Sequence, residues 1–113
     1  MDILENDETL KMAKLLFERG DILQCVDLLE ANHNSYLNKD TELYLECTNY
    51  LLRAYAELQD QAKIRELKNK LNEWALEKGE LTPRTYYTLA LCESQNGQYE
   101  AALELCRKSL SLA

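Results

Sequence analysis

Residues that favour turns are scarce in this sequence. Its 113 residues include three glycines and one proline, whereas Leu, Glu, Ala and Lys, all good helix formers, are abundant. An average α/β domain would need more turn residues and more β-branched residues. The composition therefore predicts an all-α fold, and the length is that of one domain with a continuous core.

Long apolar runs and excess positive charge are missing as well. No run approaches the roughly twenty apolar residues that span a bilayer, and the start, MDILENDE, lacks the basic and apolar regions of a signal peptide. We therefore expect no membrane association and a cytoplasmic location, with the nucleus left open. The net charge of −7 argues against nucleic acid as a partner, because such binding depends on Lys and Arg that neutralise phosphates.

Residues that carry catalytic or metal chemistry are few. The single histidine, His33, has no acid or nucleophile at a telling spacing, and we expect it in a loop. The cysteines Cys25, Cys47, Cys92 and Cys106 form no CxxC pair and fall where a helix would present a small apolar side chain, so we expect them reduced and buried. We predict neither an enzyme nor a metal or cofactor site.

Helical periodicity is clearest in residues 83–112. Apolar side chains recur at helical spacing on both sides of Asn96-Gly97, so two helices joined by a short turn are expected to fold back antiparallel. Ala90 and Ala102 stand where small side chains let the two helices approach closely. The two predicted faces are Tyr86, Leu89, Ala90 and Glu93, then Tyr99, Ala102, Leu103, Cys106 and Leu110.

Two earlier hairpins share this pattern. Gly20 separates the first pair of helices, with Asn6 or Asp7 as the cap, and residues 32–40 are expected to form a link pinned by Tyr36 and Leu37. The predicted faces of that pair are Met12, Ala13, Leu16 and Phe17, then Ile22, Cys25, Val26 and Leu29.

In the second hairpin, Gln59-Asp60 replaces the turn glycine. Asp40 or Thr41 is expected to cap its first helix, and Gly79 to end its second, which spans roughly 61–78. The predicted faces are Leu43, Cys47, Leu51, Ala54, Tyr55 and Leu58, then Ile64, Leu67, Leu71, Trp74 and Ala75. Thr82 as N-cap and Pro83 at the first helical position mark the start of the third hairpin.

The three turns recur at regular spacing. They stand 39 and 38 residues apart, at positions 20, 59 and 97, and such a period is typical of stacked helical repeats. The chain resembles a tetratricopeptide repeat (TPR) array on the following residues: Tyr86, Leu89, Ala90, Gly97, Tyr99 and Ala102 in the third hairpin, Met12, Ala13, Gly20 and Cys25 in the first, and Leu51, Leu52, Tyr55 and Ile64 in the second.

This resemblance implies a fold and a function. The fold would be a right-handed α-solenoid of three antiparallel helix hairpins, about 6–34, 41–79 and 82–112, forming one domain over 1–113 or a segment of a longer protein. The function would be non-catalytic binding of a partner protein or peptide in the concave groove, as part of a scaffold or regulatory protein.

In such an array the first helix of each hairpin lines the groove. The residues placed there by helical spacing are Leu10, Lys14, Phe17, Asn49, Arg53, Ala56, Arg84, Tyr87, Leu91 and Ser94. Three cations on an acidic chain, beside aromatic and apolar side chains, suggest a partner segment with acidic and apolar residues. The alternative is that these positions are simply solvated.

A second functional hypothesis concerns the last helix. Leu103, Cys106 and Leu110 form an apolar stripe there, and the sequence offers no later helix to cover it. Because repeat arrays usually end in a polar cap, we expect weak self-association through this stripe or a longer parent chain that continues the array. In that case the chain would be an assembly piece rather than a peptide receptor.

Overall fold

The computed structural model describes residues 7–37, 40–79 and 81–112, and within these ranges the protein is all-α. Asn6, one of the two predicted first caps, and residues 38–39 of the predicted link lie outside the described residues. The six helices of the described ranges, with no strand among them, are α1 (Glu8–Arg19), α2 (Ile22–Leu37), α3 (Thr41–Glu57), α4 (Gln61–Lys78), α5 (Pro83–Gln95) and α6 (Tyr99–Leu112).

Four of the helices begin at side-chain caps. Asp7, Asp40 and Asp60 each accept a hydrogen bond from the backbone N–H three residues later, at 2.9, 3.1 and 3.1 Å. Thr82 does the same at 3.2 Å, with Pro83 as the first residue of α5. Each cap satisfies a backbone donor that has no partner inside its helix. The predicted caps at Asp40 and Thr82 are confirmed.

The turns within the three hairpins have the same geometry. Gly20, Gln59 and Gly97 all have positive φ, at 86, 57 and 77°. Each donates its backbone N–H to the carbonyl three residues earlier at 3.1 Å, and the next residue donates to the carbonyl five residues before it at 2.9 to 3.0 Å. These bonds satisfy the last carbonyls of the preceding helix, as in a Schellman motif.

Helix α3 is the centre of the core. It packs against α1, α2, α4 and α5, and twelve of its 17 residues are buried. Helix α5 packs on α3 and α6 but makes no broad contact with α4. Helices α4 and α5 are linked by the Lys68–Glu93 ion pair. The buried surface of α3 is therefore wider than the predicted face, because other helices pack on more than one side of α3.

The buried face of α1 is shifted relative to the predicted one, although Leu16 and Phe17 are partly buried against the core as expected. Leu10 and Ala13 are buried, whereas half of Met12 is exposed. The hydroxyl of Tyr36 donates to the Asp7 carboxylate at 2.6 Å and thereby ties the end of α2 to the start of α1. Leu10 stands three residues before Ala13 and so shares its face, whereas Met12, one residue before it, points about 100° away.

The predicted link over residues 32–40 is wrong in its first part. Helix α2 continues through Leu37, so His33 lies within a helix and is buried rather than in a loop. Tyr36 is buried as expected, but Leu37 is exposed. The run of Asn in NHNS was misleading because two of these residues, Asn34 and Ser35, simply face outward from the helix.

The cysteines are free thiols. Cys25, Cys47 and Cys92 are buried, and Cys106 is partly exposed. Burial raises the pKa of Cys47 to about 12 and that of Cys92 to about 11. Their protonated state at neutral pH makes them packing residues with little nucleophilic character.

No helix of the described residues is long and apolar enough to cross a bilayer.

Candidate partner-binding surfaces

Side chains from the first helices of all three hairpins meet in one cluster. The guanidinium carbon of Arg53 on α3 lies 4.7 Å from the ring centroid of Phe17 on α1 and 5.9 Å from that of Tyr50. The guanidinium of Arg84 on α5 lies 5.9 Å from the same Tyr50 ring. We call Phe17, Tyr50, Arg53 and Arg84 the cation–aromatic cluster. Such contacts contribute about 0.5–2 kcal/mol each, and they orient the guanidinium groups.

An acidic side chain completes this cluster. Glu46 is nearly buried, and its Oε1 accepts from Nη2 of Arg84 at 2.8 Å. Sequence reasoning missed Glu46, although it stands seven residues before Arg53 and so shares its face of α3. Among the described residues Arg53 has no carboxylate partner. The two arginines are thus held differently: Arg84 by a carboxylate and a ring, Arg53 by two rings.

Two residues predicted to line the groove are buried. Leu10 and Asn49 are 4% and 1% exposed, so neither offers a surface to a partner in this conformation. The Oδ1 atom of Asn49 is buried without a hydrogen-bond partner among the described residues. Each stands ten residues before its hairpin turn. Helix α1 packs on α3, and α3 packs on α5, and these contacts bury the side chain at this position.

The other predicted groove residues reach the surface. Lys14, Arg84, Tyr87 and Leu91 are exposed, and Phe17 and Arg53 are partly exposed. Lys14 lies about one helical turn before Phe17 on α1, and among the described residues no ion pair or cation–π contact joins it to the cation–aromatic cluster. The structure therefore brings together Phe17, Arg53 and Arg84 from the predicted set.

The predicted assembly face is also at the surface. Leu103 and Leu110 on α6 are exposed, and Cys106 between them is partly exposed. Tyr99, at the start of the same helix, is exposed too. Ala102 is buried, as predicted for a residue at the crossing with α5.

A depression that the sequence did not predict lies between α2 and α4, with α3 as its floor. It consists of two adjoining cavities of about 200 and 250 Å³ that share His33, Asn34 and Lys70. His33 stacks on Tyr44 with ring centroids 4.6 Å apart, and Tyr44 stacks on Trp74 at 6.1 Å. Trp74, on the predicted face of α4, packs partly buried against the core and also forms part of the wall of this cleft.

The protonation state of His33 follows from its contacts. Its Nε2 lies 2.7 Å from Oγ1 of Thr48, whose hydroxyl donates to the Tyr44 carbonyl at 2.8 Å. The hydroxyl proton is thus engaged, and Nε2–H of His33 must be the donor. Burial, helped by the positive charge of Lys70 and opposed by Glu30, lowers the pKa of His33 to about 4, so the imidazole is neutral at pH 7.

Within the described ranges, no three His, Cys, Asp or Glu side chains come together as a possible set of metal ligands. Comparisons with protein-family models, curated proteins and solved structures find no match for this chain. The resemblance to TPR arrays therefore stays a prediction that rests on the residues named above.

Proposed function

We propose that the chain is a TPR-like right-handed solenoid that binds a partner peptide or helix on the face formed by α1, α3 and α5. It is a non-catalytic interaction module of a scaffold or regulatory protein in the cytoplasm or nucleus. The observation that carries this proposal is the cation–aromatic cluster, in which side chains from all three first helices converge. The equivalent hairpin turns support the stacked arrangement.

The chemistry of the cluster favours acidic and apolar residues in the partner. Arg53 has guanidinium donors that no carboxylate of the described residues occupies, and the rings below it hold it in place. A partner carboxylate could bind the guanidinium through two parallel hydrogen bonds. Phe17 and Leu91 supply apolar surface on α1 and α5. Lys14 adds positive charge at the α1 end.

The test is a peptide-display selection on the whole chain, followed by affinity measurements on the selected peptides. We expect enrichment of sequences that combine Asp or Glu with apolar residues. The combined substitutions Lys14→Glu, Arg53→Glu and Arg84→Glu should weaken binding at least ten-fold at low salt. The matched control reverses three exposed cations of α4, through Arg65→Glu, Lys70→Glu and Lys78→Glu.

Because both variants change the net charge equally, a loss of affinity confined to the variant with reversed Lys14, Arg53 and Arg84 assigns binding to the cluster. Equal losses would show that net charge alone matters and would contradict the proposed site. Circular dichroism on each variant verifies that the helices persist. Unchanged affinity in the first variant at low salt would also reject it.

A second candidate function is assembly through α6. It is favoured by the exposed side chains of Leu103 and Leu110 on the last helix. On this hypothesis the chain is one segment of an assembly whose next element packs on α6.

A further inference from the structure

The equivalent turns allow the three hairpins to be matched residue by residue. Counting from Gly20, Gln59 or Gly97, the positions six, nine and thirteen residues after the turn share one face of each second helix. The three sets are Val26, Leu29 and His33 in α2, Arg65, Lys68 and Asn72 in α4, and Leu103, Cys106 and Leu110 in α6.

In α2 this face is apolar apart from His33, and α3 covers it. All three residues of the set are buried. His33 stacks on Tyr44 near the start of α3, while Glu30 accepts a hydrogen bond from the hydroxyl of Tyr55 near its end. Later residues of α2 therefore meet earlier residues of α3, so the two helices are antiparallel.

In α4 the same face is polar, and no helix of the described ranges covers it. Helix α5 packs on α3 instead of on α4. Arg65 and Asn72 are exposed, and Lys68 forms its ion pair with Glu93 of α5. At these three positions, where the face is left open, the side chains of α4 are hydrophilic, and the exposed leucine of α4, Leu76, lies one helical turn beyond them.

In α6 the face is open as in α4 but apolar as in α2. Leu103 and Leu110 are 52% and 76% exposed. The open region extends onto α5, because Tyr87, ten residues before its turn, is 52% exposed, whereas its counterparts Leu10 and Asn49 are buried. We call Tyr87, Leu103, Cys106 and Leu110 the terminal face.

We infer that the terminal face binds an amphipathic α-helix of a partner protein, antiparallel to α6, as α3 lies on α2. The inference rests on the second candidate function and names the class of partner. The α4 comparison carries it, because this chain has polar side chains at the same three positions where no helix of the described ranges packs on them. Apolar side chains that remain exposed at α6 are those expected of a surface that another helix covers.

The side chains that replace those of α2 indicate what the partner helix carries. Leu110 stands in place of His33, so an apolar residue is expected where α3 has Thr48. Arg107 stands in place of Glu30, ten residues after the turn, so an acidic residue is expected where α3 has Tyr55. The expected partner helix is thus apolar along its seam, with a carboxylate opposite Arg107.

The probe is a labelled helical peptide with the sequence of residues 40–58, bound to the whole chain and followed by fluorescence anisotropy. It carries Cys47→Ala and Thr48→Leu to match the apolar seam, and either Tyr55→Glu or Tyr55→Lys opposite Arg107. We expect the Glu peptide to bind at least ten-fold more tightly than the Lys peptide. The Arg107→Glu protein should reverse that preference.

Controls separate this surface from the rest of the protein. Leu103→Glu or Leu110→Glu should lower the affinity for the Glu peptide at least ten-fold, whereas Leu76→Glu, at an exposed leucine of α4, should leave it unchanged. Because the three leucines are all exposed, the variants are expected to stay folded, as circular dichroism would verify. The cluster variant with reversed Lys14, Arg53 and Arg84 should bind the peptide normally, so the two surfaces are tested independently.

Three results would overturn the inference. One is the absence of binding by both peptides, and another is binding that ignores Leu103→Glu and the Arg107→Glu exchange. The third is concentration-dependent dimerisation of the chain alone, seen by ultracentrifugation and abolished by Leu110→Glu, because the occupant would then be a second copy of this chain.

Discussion

The imidazole of His33 is buried against residues of α3. His33 stands in an Asn-rich stretch, so local composition placed it in a loop. In the structure it lies on the buried face of α2, held by Thr48 and Tyr44. Nothing within a few residues of His33 encodes that environment, because both partners come from α3. Long-range burial of this kind is what composition and helical spacing cannot supply.

This environment makes stability depend on pH. The pKa of His33 is about 4 in the folded protein and near 6.5 when unfolded, so the unfolded chain binds more protons between those values. The stabilisation is complete above pH 6.5 and is lost as the pH falls toward 4. Between pH 7 and pH 5 we expect His33 to lower the free energy of unfolding by about 1–2 kcal/mol.

Urea denaturation at pH 7, 6 and 5 measures this effect. The matched variant is His33→Gln, which keeps a donor for Thr48 but does not titrate in this range. Its free energy of unfolding should change less over this interval than that of the natural sequence. Parallel pH profiles for the two proteins would show that other groups dominate.

At the scale of the element, the hairpin turns were predictable and the covered faces were less so. Gly20, Gln59 and Gly97 were placed by local signals, and the structure has a left-handed residue at each. By contrast, the burial of Leu10, Glu46 and Asn49 depends on neighbouring helices. Periodicity fixes which side chains share a face of one helix, but not which helix packs against that face.

The turn at Gln59 differs from the others because a non-glycine residue adopts a left-handed backbone conformation that suits glycine. Gln59→Gly relieves that strain, which costs a non-glycine residue about 1–2 kcal/mol, although the freer unfolded chain cancels part of the gain. We expect the variant to be more stable by about 0.5–1 kcal/mol. The exchange in the opposite sense, Gly97→Gln, should destabilise the protein by a similar amount.

Thermal unfolding of both variants decides this prediction. Gln59→Ala serves as a control, because it shortens the side chain without removing the strain. A Gln59→Gly protein that melts no higher than Gln59→Ala would contradict it.

The crossing of α5 and α6 gives a second prediction at this scale. Ala102 is buried between these helices, whereas its neighbour Ala101 is exposed. Ala102→Leu should overpack the crossing and lower the free energy of unfolding by about 1–3 kcal/mol. Ala101→Leu adds the same atoms on the exposed side and should be nearly neutral. Equal midpoints in chemical denaturation would indicate that the crossing tolerates the larger side chain.

At the scale of the molecule, the cation–aromatic cluster places positive charge on one surface of an acidic chain. The net charge is −7, yet Arg53 and Arg84 lie on one shared surface. Attraction between exposed charges is screened over about 8–10 Å at physiological salt. Binding of an acidic peptide to the cluster should therefore weaken as salt rises, and titration calorimetry at several salt concentrations checks this expectation.

The central position of α3 has a consequence for local stability. Helices α5 and α6 pack extensively on each other but are joined to the remaining helices mainly through the contact of α5 with α3. A hairpin attached along one side can detach as a unit, leaving the other four helices folded. Its amide hydrogens would then exchange with solvent together, at a free energy below that of complete unfolding. A helix bound to the terminal face would slow that exchange by holding the closed state.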